Sequence, residues 1–101
     1  MFICMGRLRM TNCQVEGKLY VMGDLIAKHS IFNDLNVGGL TVLKKSYCEK
    51  NIDSFLGINL FNVNCKDIFS HGKIHIQNVI GTNVESHDRI KVKGRFEGFI
   101  R

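Results

Sequence analysis

Hydrophobic and polar residues alternate along most of this chain in short runs. The stretches SHGKIHIQN (70–78) and SHDRIKVKG (86–94) show the pattern, because their aliphatic residues stand two positions apart. Alternation with period two predicts β-strands with one buried face. The two stretches also share one phrase, Ser-His-x-basic-Ile-x-aliphatic, at a spacing of 16 residues. This spacing predicts an internal repeat.

The repeat extends over five units, which are 15–30, 31–46, 54–69, 70–85 and 86–101, with an insert at 47–53. Positions five and seven of every unit are Leu, Ile or Val. They form the predicted core ladder of Leu19, Leu35, Ile58, Ile74, Ile90, Val21, Val37, Leu60, Ile76 and Val92. Position nine is always Gly or Asn, which tolerate positive φ. These residues are the predicted corner turns Gly23, Gly39, Asn62, Asn78 and Gly94.

Units this short bury an apolar face only by stacking on one another. We therefore predict an all-β fold, a short single-domain β-solenoid of about five 16-residue windings over residues 15–101. A right-handed coil is favoured. Residues 47–53 are predicted to bulge from a corner as a loop. Residues 1–14 are predicted to form an apolar and basic tail, either outside the coil or covering its first winding.

The composition agrees with short strands joined by tight corners, since the chain has ten Gly and no Pro. The four cysteines include no C-x-x-C pair, which argues against a zinc knuckle or a thioredoxin-type site. No secretory signal is recognised in MFICMGRLRM, where apolar residues precede the arginines. We expect a cytoplasmic protein with reduced, mostly buried thiols.

Two phrases, VEGKLYVMGDLIA (15–27) and IKVKGRFEGFI (90–100), resemble the bactofilins, which are bacterial polymer-forming cytoskeletal proteins. The resemblance covers roughly residues 13–101, although Asn62 and Asn78 stand where the family pattern has glycine. It implies a compact right-handed β-helix that assembles into filaments through its ends without nucleotide or catalysis. It also implies attachment to the inner membrane by a short N-terminal segment.

The last unit points to self-association independently. It finishes at Arg101 with no residue left to build a polar cap, and an uncapped winding exposes strand edges and core. We expect the chain to bind copies of itself end to end. The predicted polymerisation interface consists of Val15, Leu19, Val21, Ile90, Val92, Phe96 and Phe99.

The net charge of +5 comes from the two ends of the chain. Arg7 and Arg9 precede the repeats, and the last unit contributes +3. An apolar and basic segment can lie in an anionic membrane interface. We therefore expect residues 1–10, through Phe2, Ile3, Arg7 and Arg9, to contact the inner membrane surface. Nucleic acid is not an expected partner, because no aromatic platform accompanies the alternating cations of the last unit.

No catalytic, cofactor-binding or metal-binding residues are predicted. His71 and His87 occupy one column of adjacent windings and are expected to stack as a solvent-facing polar ladder, although a weak metal site with Asp88 is an alternative. No phosphate loop, nucleophile elbow or carboxylate pair stands out. The sequence thus favours a non-enzymatic filament subunit. The alternative is a small monomeric or dimeric interaction module that binds a protein or an anionic partner.

Overall fold

A computed structural model of the protein describes residues 2–100, and all of its regular elements are β-strands. In chain order they are β1 Phe2–Cys4, β2 Leu8–Thr11, β3 Gln14–Val21, β4 Leu25–Lys28, β5 Ile31–Val37, β6 Leu40–Lys44, β7 Tyr47–Cys48, β8 Asn51–Ser54, β9 Gly57–Asn64, β10 Asp67–Ser70, β11 Lys73–Ser86 and β12 Ile90–Ile100. Every pairing between them is parallel. The prediction of an all-β solenoid is confirmed, with about six turns rather than five.

Each winding contributes to three faces, because paired residues lie 16 or 17 positions apart and form three separate ladders. Face A consists of residues 2–4, 18–21, 34–37, 51–54, 67–70, 83–86 and 99–100. Face B consists of residues 8–11, 25–28, 40–44, 57–61, 73–77 and 90–93. Face C consists of residues 14–15, 31–32, 47–48, 63–64, 79–80 and 96–97.

The core fills the interior of the coil with one side chain above another. On face A the inward column is Leu19, Leu35, Ile52, Ile68 and Val84, and on face B it is Leu25, Thr41, Ile58 and Ile74. All nine of these residues are buried. Alternation along each strand sends the intervening residues outward. Burying these apolar columns is the main stabilising contribution to the fold.

Residues 47–53 do not form an insert loop, so that prediction is wrong. They contain β7 and most of β8, and they complete a winding whose Cys48 and Ile52 are buried in the core. Ile52 pairs with Leu35 on one side and with Ile68 on the other. The coil is therefore continuous through this segment.

The predicted ladder of ten residues consequently divides between two faces. Its members from the first two units, Leu19, Val21, Leu35 and Val37, lie on face A. Those from the last three units, Ile58, Leu60, Ile74, Ile76, Ile90 and Val92, lie on face B. Eight of the ten are buried, whereas Ile90 and Val92 belong to the last winding and are partly exposed.

The corner between faces B and C is built from residues in the left-handed region of φ. Its column is Asn12, His29, Lys45, Asn62, Asn78 and Gly94, with φ between 48° and 74°. The predicted turns at Asn62, Asn78 and Gly94 are confirmed. Gly23 and Gly39 lie instead at the corner between faces A and B, without positive φ. Glycine is needed there because a Cβ on Gly39 would lie 2.8 Å from the Gly23 carbonyl oxygen.

Residues 2–11 belong to the coil rather than to a tail outside it. Strand β1 pairs with β3 through Phe2–Leu19 and Cys4–Val21, and β2 pairs with β4 through Leu8–Leu25. The alternative interpretation, that this segment covers the units that follow it, describes the structure better. It does so as one further winding.

Candidate functional site

The N-terminal end of the solenoid exposes inward-facing side chains that no further described winding covers. Leu8, Met10 and Val15 pack against the core from one side only and remain partly exposed. Phe2 is 54% exposed. Together these residues line an open apolar depression at the end of the coil.

The C-terminal end presents a long strand edge. Within residues 2–100, β12 pairs only with β11, and none of its eleven residues is buried. Ile90 and Phe96 pack against the core, whereas Phe99 is 72% exposed and Ile100 50%. A strand edge of this length with unpaired backbone groups and apolar side chains is a ready template for another strand.

These two ends correct the predicted polymerisation interface. Val15, Ile90, Val92, Phe96 and Phe99 do lie in the terminal windings. Leu19 and Val21 are wrong, because β1 covers them and leaves both at most 1% exposed. Sequence reasoning missed Leu8 and Met10. Their alternation was a usable signal, but they lie 17 rather than 16 residues before their partners Leu25 and Ala27.

The four residues expected at a membrane share the first winding but not one surface. Ile3 pairs with Tyr20 on face A, whereas Arg9 pairs with Ile26 on face B. The Arg7 guanidinium lies 3.4 Å from the Asp24 carboxylate in an exposed ion pair. The part of the chain that the structure describes contains no helix long and apolar enough to cross a membrane.

A cluster of aromatic rings occupies one edge of the solenoid between faces A and B. His71 and His87 stack as predicted, with ring centroids 4.8 Å apart and the two Nδ1 atoms at 3.1 Å. Phe69 contacts both imidazoles edge-on, and Phe55 lies 4.9 Å from His71. The Nδ1–Nδ1 hydrogen bond requires one protonated and one unprotonated nitrogen. His75 projects from face B and does not join the cluster.

Comparisons with known proteins find no counterpart for this chain. No protein-family model, curated protein or solved structure matches it.

The structure offers little metal or thiol chemistry. Among residues 2–100 no three His, Cys, Asp or Glu side chains are grouped to hold a metal ion, so Asp88 does not complete a metal site with the two histidines. Cys48 and Cys65 lie in successive windings, and burial raises the pKa of each thiol to about 12. Both thiols are therefore neutral at physiological pH and poorly nucleophilic.

Charge is divided sharply between the faces, which the sequence interpretation did not anticipate. The face B segments hold six Lys or Arg (Arg9, Lys28, Lys44, Lys73, Lys91 and Lys93) and no Asp or Glu. The face A segments hold four acidic residues (Asp34, Asp53, Asp67 and Glu85) and one Lys. The solenoid thus carries a basic side and an acidic side along its axis.

Proposed function

We propose that this chain is a non-enzymatic structural subunit that assembles end to end into filaments, as the bactofilins that it resembles do. The observation that carries the proposal is the exposure of core columns and strand edges at both ends of the coil. Monomeric solenoids protect such ends with polar capping structure. Residues 2–100 provide none at either end.

End-to-end contact satisfies both kinds of exposed group at once. An incoming parallel or antiparallel strand pairs with the free backbone N–H and C=O groups of β12. The same contact buries Phe99, Ile100 and Val92 against the apolar end of another copy. Burial of apolar surface is favourable in proportion to its area, by about 25 cal/mol per Å².

Two phenylalanine substitutions separate the ends from the sides. Phe99 is 72% exposed in the last winding, and Phe55 is 57% exposed at a corner in the middle of the coil. We expect Phe99→Arg to abolish assembly, because a cation then lies in the apolar contact. Phe55→Arg makes the same chemical change away from the ends and should leave assembly intact.

Sedimentation velocity and negative-stain electron microscopy measure the outcome, and circular dichroism checks the fold of each variant. The parent and Phe55→Arg should form filaments, whereas Phe99→Arg should sediment as the 11.5 kDa monomer. A parent that remains a discrete small species at high concentration would exclude the proposal. Loss of assembly in both variants would show that the contact does not lie at the ends.

A further inference from the structure

The cations of face B have almost no charged partners on the protein. Within residues 2–100 the only ion pair is Arg7–Asp24, and neither residue belongs to the six cations of face B. Lys28 and Lys44 are direct cross-strand partners, and both are exposed. Like charges placed opposite each other in a sheet destabilise it. A polyanion on this face relieves that repulsion.

Polar and aromatic side chains lie between these cations. Asn59, Phe61, His75 and Gln77 line a shallow depression together with Lys91 and Lys93. The Lys44 Nζ lies 5.7 Å from the centroid of the Phe61 ring. The last unit lacks an aromatic residue in this stretch of sequence, but the coil brings Phe61 onto its face from two windings earlier. The sequence argument against nucleic acid therefore no longer holds.

This set of groups matches what single-stranded nucleic acid requires. Lys side chains neutralise phosphates, an aromatic ring offers a stacking surface for a base, and amide and imidazole groups pair with exposed base edges. A duplex hides its base faces and uses only the cations. A membrane fits less well, because Val92 of the end winding is the only large apolar residue that is more than a third exposed among the described face B segments.

We propose that face B binds single-stranded nucleic acid with little sequence preference. The strands of this face are roughly 24 Å apart from first to last, so one subunit contacts a few nucleotides. The proposal does not depend on filament formation. In a filament, however, face B runs parallel to the axis, and successive subunits present their cations along one track, which raises the apparent affinity through avidity.

Fluorescence anisotropy with a labelled 20-residue oligodeoxythymidine tests the proposal, with a 20-base-pair duplex as the comparison. The monomeric Phe99→Arg variant is the background, so that loss of assembly and loss of binding are read separately. We expect tighter binding to the single strand than to the duplex. With about four phosphate contacts, log K should fall against log salt with a slope of about −3.

Charge reversal on two faces provides the matched control. Lys44→Glu with Lys93→Glu changes face B, and Lys50→Glu with Lys66→Glu makes the same change of charge at exposed positions outside it. The first pair should weaken binding at least tenfold and reduce the steepness of the salt slope by about 1.4. The second pair should change binding less than threefold. Phe61→Leu should weaken binding about fivefold or more while the salt slope stays unchanged.

Three results would overturn the proposal. One is equal weakening by both pairs of substitutions, which would mean attraction by net charge alone. Another is the absence of single-strand binding at about 50 mM salt, where such contacts are strong. The third is binding to phosphatidylserine-containing vesicles, but not to the oligonucleotide, that is lost with Lys44→Glu and Lys93→Glu. That result would assign face B to a lipid surface instead.

Discussion

At the scale of single residues, the core contains one polar group that has no partner. Thr41 is completely buried in the face B column between Leu25 and Ile58, and its Oγ1 has no hydrogen-bond partner among residues 2–100. An unsatisfied buried hydroxyl costs about 1–3 kcal/mol. Thr41→Val keeps the shape of the side chain and removes that cost.

We therefore expect Thr41→Val to raise the free energy of unfolding by about 1 kcal/mol, measured by urea denaturation. Thr41→Ser is the matched variant, because it keeps the hydroxyl and removes a methyl group from the core. It should lower the free energy by about 1 kcal/mol. A lower midpoint for Thr41→Val would mean that the hydroxyl has a stabilising partner.

The corner between faces B and C contains a second residue-scale feature. Lys45 has a φ of 48°, in the left-handed region where a side chain with Cβ costs about 1 kcal/mol relative to glycine. Lys45→Gly should accordingly stabilise the protein by up to about 1 kcal/mol. Its neighbour Lys44 lies in β6, where Lys44→Gly should destabilise by a similar amount. Equal effects of the two substitutions in urea melts would contradict this account of the corner.

Residue types predicted this corner in part. Asn62, Asn78 and Gly94 were identifiable because Asn and Gly are the residues that favour positive φ. His29 and Lys45 occupy the same column with no such signature, so only the stacking of windings shows their conformation. The core was predictable for the same kind of reason. Period-two alternation marks an inward residue on any face, and eight of the ten predicted core residues are buried.

At the scale of the winding, the sequence did not determine the register. A solenoid with three similar faces repeats the in-and-out pattern within each winding, so that an offset of one face leaves the alternation unchanged. Leu35 on face A and Ile58 on face B look equivalent along the chain. Matching them forced a gap at 47–53. The spacing of 17 residues at several pairs, such as Leu35–Ile52, concealed the true neighbours.

This error also concealed the functional surfaces. With the register misplaced, the cations of face B were spread over unrelated positions, and the first winding was assigned to a tail. The correct stacking brings Lys28 beside Lys44 and places Phe61 on the same face as Lys93. Charge segregation is thus a property of the stacked windings and is not visible along the chain.

Close approach between windings gives a prediction at this scale. A Cβ on Gly72 would collide with the backbone carbonyl oxygen of Leu56 in the preceding winding. Gly72→Ala should therefore destabilise the protein by about 1–3 kcal/mol in urea denaturation, because the two windings must separate. Gly6 lies at the equivalent corner of the first winding with no atom within 4 Å of its Cβ position. A loss of stability for Gly6→Ala as large as for Gly72→Ala would rule out this explanation.

At the scale of the whole molecule, the ends and the sides of the solenoid differ in chemistry. The ends expose apolar columns and strand edges, and the sides carry a basic face and an acidic face. Assembly through the ends leaves both charged faces open along a filament. The proposed filament and the proposed nucleic-acid track are therefore compatible, although each is tested separately.

Fibre diffraction from oriented filaments of the parent protein tests end-to-end assembly most directly. In a filament of stacked solenoids the strands run across the axis, so the strand spacing of about 4.8 Å should appear as a meridional reflection. Six windings at that spacing also predict an axial repeat of roughly 29 Å or a multiple of it, which distinguishes stacked subunits from amyloid. An equatorial strand reflection, or protein that forms no filaments at any concentration, would contradict the account.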